Sequence, residues 1–168
     1  MALCAGLGLA SEARAQFANR SLGFQVGYLS LNGVAGGELD FAVPIGLTGS
    51  LYIENGFDLV AHVGIMVTHD TVTGSNVVAL DGPAVGVRYL FMEESIRPFV
   101  GLDLSYLQLF GTANQQNTAY AGLGPNLGLE LFLSDSISVS LKGRFNLYVS
   151  LNEVWTSFGA NLGVSTYF

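Results

Sequence analysis

Residues 137–168, ISVSLKGRFNLYVSLNEVWTSFGANLGVSTYF, alternate almost without a break. Ile137, Val139, Leu141, Gly143, Phe145, Leu147, Val149 and Leu151 fall on one side, against Ser138, Ser140, Lys142, Arg144, Asn146, Tyr148 and Ser150 on the other. After a short polar break the pattern resumes, with Val154, Phe158, Leu162, Val164 and Phe168 opposing Trp155, Ser157, Asn161, Ser165 and Tyr167. A period of two belongs to a β-strand whose two faces meet unlike surroundings, because successive side chains point to opposite sides of a sheet.

Working toward the N-terminus, the same period recurs six more times. The segments are 21–31, 41–53, 57–69, 81–92, 97–110 and 118–133, followed by 136–151 and 153–168. The apolar faces read as free of charge. The opposite faces carry Asp58, Arg88, Arg97, Asp103, Glu130, Lys142 and Arg144, together with most of the strand glycines.

Composition narrows what such strands can build. The chain has 168 residues, half of them apolar, with 22 glycines and only 11% charged residues. That length suits one domain, and soluble domains carry about 25% charged residues. No stretch approaches the roughly 20 unbroken apolar residues of a spanning helix. A net charge of −7, with Lys142 as the single lysine and no basic cluster, excludes nucleic acid as a partner. The lone cysteine, Cys4, excludes an internal disulfide and a cysteine metal site.

Alternation does not by itself say which face points inward. A water-facing strand surface is rich in charge, whereas this polar face is mainly Gly, Ser, Asn and Tyr. An eight-stranded barrel has an interior only just wide enough for side chains. The Leu- and Phe-rich face is too bulky for it, and the glycine-rich face fits. The expected fold is therefore all-β: an eight-stranded antiparallel up-and-down transmembrane β-barrel, apolar face outward, with a polar glycine-rich lumen. Closure pairs every backbone polar group where no water is available.

Residues 1–16, MALCAGLGLASEARAQ, read as a secretory signal peptide, with Ala13-Arg14-Ala15 as the A-x-A cleavage pattern and residues 17–168 as the barrel domain. No Lys or Arg precedes the apolar run, so the leader reads as truncated at its start. Lipidation at Cys4 is the rival reading, and Leu3 before it suits that poorly. The connections set the orientation. Glu54-Asn55-Gly56, Glu93-Glu94-Ser95 and Ser134-Asp135 are tight turns, while 32–40, 70–80 and 111–117 are longer; 151–153 is the short exception. Short periplasmic turns and longer outside loops place both ends in the periplasm. The outside loops carry Glu38, Asp40, Asp70 and Glu153 and no Lys or Arg.

The last strand, Gly163-Val164-Ser165-Thr166-Tyr167-Phe168, ends in Phe with apolar residues at alternate positions before it. It resembles the terminal signature of bacterial outer-membrane barrels. With eight strands and a leader, residues 17–168 resemble the OmpA-like small barrel superfamily. The resemblance implies a bacterial outer-membrane location among lipids and lipopolysaccharide. It also implies insertion by the barrel assembly machinery, with Phe168 as part of the assembly signal. A monomer is expected, with no cofactor.

The inward charges Asp58, Arg88, Asp103, Glu130, Lys142 and Arg144 are expected to form one network across the lumen, since an unpaired buried ion costs several kcal/mol. As a structural device such a network plugs and stiffens the barrel; as a functional one it gates a narrow polar path. Broad diffusion is excluded, because a water-filled channel takes about 16–18 strands. His62 reads as an interior hydrogen-bonded residue. His69-Asp70 with Ser75 holds the residue types of a hydrolytic triad, yet triads are recognised by geometry rather than composition. Gly122-Leu123-Gly124 and Gly36-Gly37 lack the strand–loop–helix setting of a phosphate loop. No catalytic, cofactor or metal residue is expected. Phe41, Phe57, Phe91, Phe110 and Phe168 suit interfacial aromatic girdles. Three functions follow in order: a structural or surface-interaction barrel, a narrow channel for small solutes, and a lipid A-modifying enzyme at the outer rim.

Overall fold

A computed structural model describes residues 19–32, 39–71, 74–92, 94–110, 117–151 and 153–168. The expected leader 1–16 with Cys4, together with Gly36-Gly37, Glu38, Glu93 and the loop residues 111–116, lies outside the described residues. Eight strands follow in order: β1 (Arg20–Asn32), β2 (Leu39–Glu54), β3 (Phe57–Asp70), β4 (Asn76–Leu90), β5 (Ile96–Leu109), β6 (Thr118–Ser134), β7 (Ile137–Val149) and β8 (Val154–Tyr167). Each pairs antiparallel with the next, and β8 returns to β1 in register from Ser21↔Tyr167 to Asn32↔Thr156, closing the barrel. Closure leaves no strand edge to pair with other chains.

One end of the barrel holds the tight connections and is termed the turn end; the other is the loop end. At the turn end Glu54 pairs with Phe57 across Asn55-Gly56, whose φ values are 53° and 83°. Two positive φ values make a type I′ turn, which matches the twist of the flanking strands and favours Asn-Gly. Asp135-Ser136 makes a second two-residue connection between Ser134 and Ile137. The described chain also begins and ends here, with the Phe168 amide donating to the Arg20 carbonyl at 3.0 Å.

Seven strands lie within two residues of the expected boundaries at each end, and β4 departs further. β4 starts at Asn76 rather than at 81, so the expected loop 70–80 shrinks accordingly. Gly82-Pro83 reads as a strand break, but the barrel absorbs it as a β-bulge. Asp81 pairs with Gly64 and Leu107, while Ala84 pairs with His62 and Ser105, so β4 carries one residue more than either neighbour over this step. Gly82 has φ +121°, which only glycine adopts freely, and Pro83, lacking an N–H, is tolerated at a bulge. The inserted residue reverses the alternation. Val77, Ala79 and Asp81 are buried before it, and the inward parity passes to Ala84, Gly86 and Arg88 after it. Strict alternation would put Asp81 on the apolar side with Val85 and Val87; at the start of its segment it is counted on neither face, so it is missing from the expected inward charges.

The outer surface is apolar from strand to strand: Leu22, Phe24, Leu47, Val63, Leu102, Leu127, Leu141 and Leu162 are all exposed. Patches larger than a few hundred Å² are rare on soluble monomers, so a continuous belt of this kind faces lipid. Aromatic rings gather near its two rims. Tyr28 and Phe41 stack at 6.1 Å toward the loop end, and Tyr89 lies between Phe57 and Phe91 at 5.2 and 5.3 Å toward the turn end. Phe110 and Phe168 are exposed as well. Inside, glycine makes room for rings: a Cβ at Gly122 would lie 2.6 Å from the Tyr148 ring, and one at Gly128 would lie 2.5 Å from the Phe99 ring.

Candidate functional site

The lumen is built in layers. Nearest the turn end, Arg88 on β4 places Nη2 and Nε at 2.6 and 2.7 Å from Asp58 Oδ2 on β3. The same Nη2 reaches Glu130 Oε2 on β6 at 3.4 Å. Glu130 is 2% exposed, and its other oxygen accepts hydrogen bonds from Ser138 Oγ at 2.6 Å and Tyr167 Oη at 2.7 Å. The Arg88 guanidinium also lies 5.1 Å from the Phe99 ring centre, within cation–π range. Arg97 lies at the mouth, 4.3 Å from the Phe132 ring centre, and donates to the Glu94 carbonyl.

The middle layer holds two further pairs. Arg144 Nη2 donates to Asp81 Oδ2 at 3.0 Å, with His62 Nε2 at 3.9 Å from the same oxygen. Lys142 Nζ lies 3.7 Å from Asp103 Oδ2. A small cavity of about 40 Å³ opens beside Arg88, Asp103, Glu130 and Lys142, room for a few waters.

The loop-end layer has a different chemistry. Leu29, Met66 and Leu107 are at most 1% exposed, and Ala42, Val77 and Ala79 pack with them inside the barrel. Trp155 stacks on Tyr148 at 4.3 Å and meets Tyr120 edge-on at 5.5 Å. The Tyr120 hydroxyl donates to Glu153 Oε2 at 2.8 Å, tying this cluster to the last loop.

The six sequence-derived lumen charges thus all point inward, but in three separate groups rather than one network: Arg88 between Asp58 and Glu130, Lys142 with Asp103, and Arg144 with Asp81. Glu130 meets neither Lys142 nor Arg144. Sequence reading missed Asp81 because the bulge conceals its parity. It also missed the apolar layer, whose signal is visible when an inward face is followed along its length. On β1 that face runs Ser21, Gly23, Gln25, Gly27, Leu29, Leu31, and on β5 it runs from Arg97 through Asp103 and Ser105 to Leu107 and Leu109.

The triad residue types do not assemble. Asp70 is buried on the inward face of β3, whereas His69 takes the opposite parity and its Nδ1 lies 3.3 Å from Asn76 Oδ1. Ser75 meets Asp70 through its backbone carbonyl. Among the described residues no group of three or more His, Cys, Asp or Glu side chains is placed to hold a metal ion. Phe168 is exposed at the turn end beside β1.

No protein-family model matches the sequence, and no curated relative is recognisable from it. The fold has clear solved counterparts. Neisserial surface protein A superposes with a TM-score of 0.64 at 13% identity, over 90% of this chain and 98% of that one. The N-terminal β-barrel domain of Pseudomonas aeruginosa OprF gives 0.58 at 15% identity, over 90% and 98%. The outer membrane protein OprG from Pseudomonas aeruginosa gives 0.57 at 12% identity, over 92% and 98%. The fold is that of the small eight-stranded transmembrane barrels, as the OmpA-like resemblance of the last strand implies.

Proposed function

We propose that the protein is a monomeric integral barrel of a bacterial outer membrane, with a plugged core and a structural or surface-interaction role in the envelope. The observation that carries this reading is the filling of the lumen at two heights, by paired ions in the turn-end half and by apolar and aromatic side chains in the loop-end half. Water that enters from the turn end meets Leu29, Met66, Leu107 and Trp155 before it reaches the loops. Residues 1–16 are the leader, removed on export, and the turn end faces the periplasm. The last strand, ending at Phe168, is what the barrel assembly machinery reads. The lipid-facing belt is solvated by acyl chains and, in the outer leaflet, by lipopolysaccharide, while the last loop presents the exposed carboxylate of Glu153; Asp70, expected in an outside loop, is instead buried inside the barrel. The outer-membrane name of one structural neighbour supports the location.

Fractionation of expressing cells tests location and fold together. The protein is expected in the outer-membrane fraction and migrates differently on a gel before and after boiling. Recovery from the soluble periplasm would overturn the reading. A narrow channel is the second reading, favoured by the polar cavity beside Arg88 and Lys142. Liposome swelling separates the two: vesicles carrying the plugged barrel do not swell in isosmotic small sugars, and those carrying a channel do.

A further inference from the structure

The lipid-facing surface is not uniformly bulky. On β2 and β3, Gly49 and Ala61 are direct register partners, flanked by Leu22 on β1 and Val85 on β4. With Leu51 and Leu59 as walls, they leave an open depression of about 540 Å³ in the outer face near the turn end. Glycine is a poor strand residue and normally needs a packing reason. The lumen glycines have one, but a Cβ at Gly49 would meet nothing closer than the Ser21 carbonyl at 3.4 Å, an ordinary contact. Neither the fold nor the lumen requires Gly49 to be small; its effect is the hollow outside.

The hollow also has a charge at its rim. Arg20, which lines it, is the one exposed Lys or Arg among the described residues; Arg88, Arg97, Lys142 and Arg144 are all drawn into the lumen. The exposed charges in the turns at this end, Glu54, Glu94 and Asp135, are acidic. An anionic group is therefore welcome at one position and repelled at the others. Arg matches phosphate geometry through its planar donors, and long cationic side chains near a rim extend to the headgroup level.

We propose that this groove is a binding site for one anionic phospholipid of the leaflet at the turn end, with an acyl chain lying over Gly49 and Ala61 and the headgroup phosphate held by the Arg20 guanidinium. The proposal rests on the bilayer-spanning reading above and adds to it a defined lipid site. A second copy of the chain fits less well. A two-fold axis along the membrane normal puts the same patch on both subunits at the same depth, which would set Arg20 against Arg20.

Native mass spectrometry of the detergent-released barrel, offered phosphatidylglycerol or phosphatidylcholine, tests the site. The expected result is one retained phosphatidylglycerol, preferred over phosphatidylcholine. Arg20→Gln should lower phosphatidylglycerol retention about tenfold, as for loss of a charge-assisted contact. Ala61→Leu and Gly49→Leu, which fill the hollow, should lower retention of both lipids. Gly143→Leu, at the other lipid-facing glycine with open space above it, should change nothing. Equal retention in all four variants would overturn the proposal. A dimer peak lost on Ala61→Leu would overturn it too and assign the hollow to a second copy. Heat-modifiable mobility is measured on every sample: loss in the wild type counts against the barrel reading, whereas intact mobility with no lipid preference counts against the groove alone.

Discussion

The two halves of the lumen keep water out by opposite means. The turn-end half is charged, with Asp58, Arg88, Glu130, Asp81 and Arg144 in ion pairs at 2.6–3.4 Å. The loop-end half is apolar, with Leu29 and Leu107 fully buried against Met66 and the Trp155–Tyr148 stack. In the first, each side chain depends on one to three particular partners, so truncating one of them can strand a charge. In the second, contacts are many and interchangeable, so the cost of a change follows volume. The lumen is thus an ionic zone that sets which side chain sits where, joined to an apolar zone that resists wetting.

The largest single effect is expected at Asp81. Asp81→Ala leaves Arg144 buried without its carboxylate, and the expected loss is about 3–5 kcal/mol in urea unfolding from detergent or vesicles. Replacing both residues by Leu should cost far less, because apolar replacement of a buried pair is often neutral. If the double variant is as unstable as the single, charge pairing is not what matters there.

In the apolar half, Leu107→Ala should cost about 2–5 kcal/mol, the range for a large-to-small change in a packed core. No single partner change should rescue it, whereas a nearby small-to-large change should recover part. The outer face supplies the reference for both halves. Leu141→Arg, near the middle of β7, should destabilise by about 2–4 kcal/mol, and Leu147→Arg, close to the loop end of that strand, by less. The smallest effect is expected at Lys142→Gln. Its pair with Asp103 is longer, at 3.7 Å, than the Arg144–Asp81 contact at 3.0 Å and borders the water-sized cavity, so a smaller loss than at Asp81 is expected in the same unfolding measurement.

Most of the fold was legible in the sequence, because a period of two survives wherever one face meets lipid. All eight strands and the tight turns at Asn55-Gly56 and Asp135 can be read that way. The start of β4 cannot, since Gly82-Pro83 looks like a break and acts as a bulge. The lumen was legible to a different depth. Alternation gives each residue a face, but not its height in the barrel nor the neighbour it meets across the lumen. Those depend on the stagger between strands, which is how Glu130 comes to meet Arg88 from β4 rather than Lys142 from the adjacent strand. The apolar layer was hidden for a plainer reason. A face counted as a whole averages Ser21 with Leu31, and only its order along the strand shows the gradient.

The claim that two unlike layers close the lumen is tested most directly by single-channel recording of the refolded protein in planar bilayers. The wild type is expected to show no steady conductance at moderate voltage. A steady ohmic current from correctly folded, heat-modifiable wild-type protein, abolished by Lys142→Ala or Glu130→Ala, would contradict it.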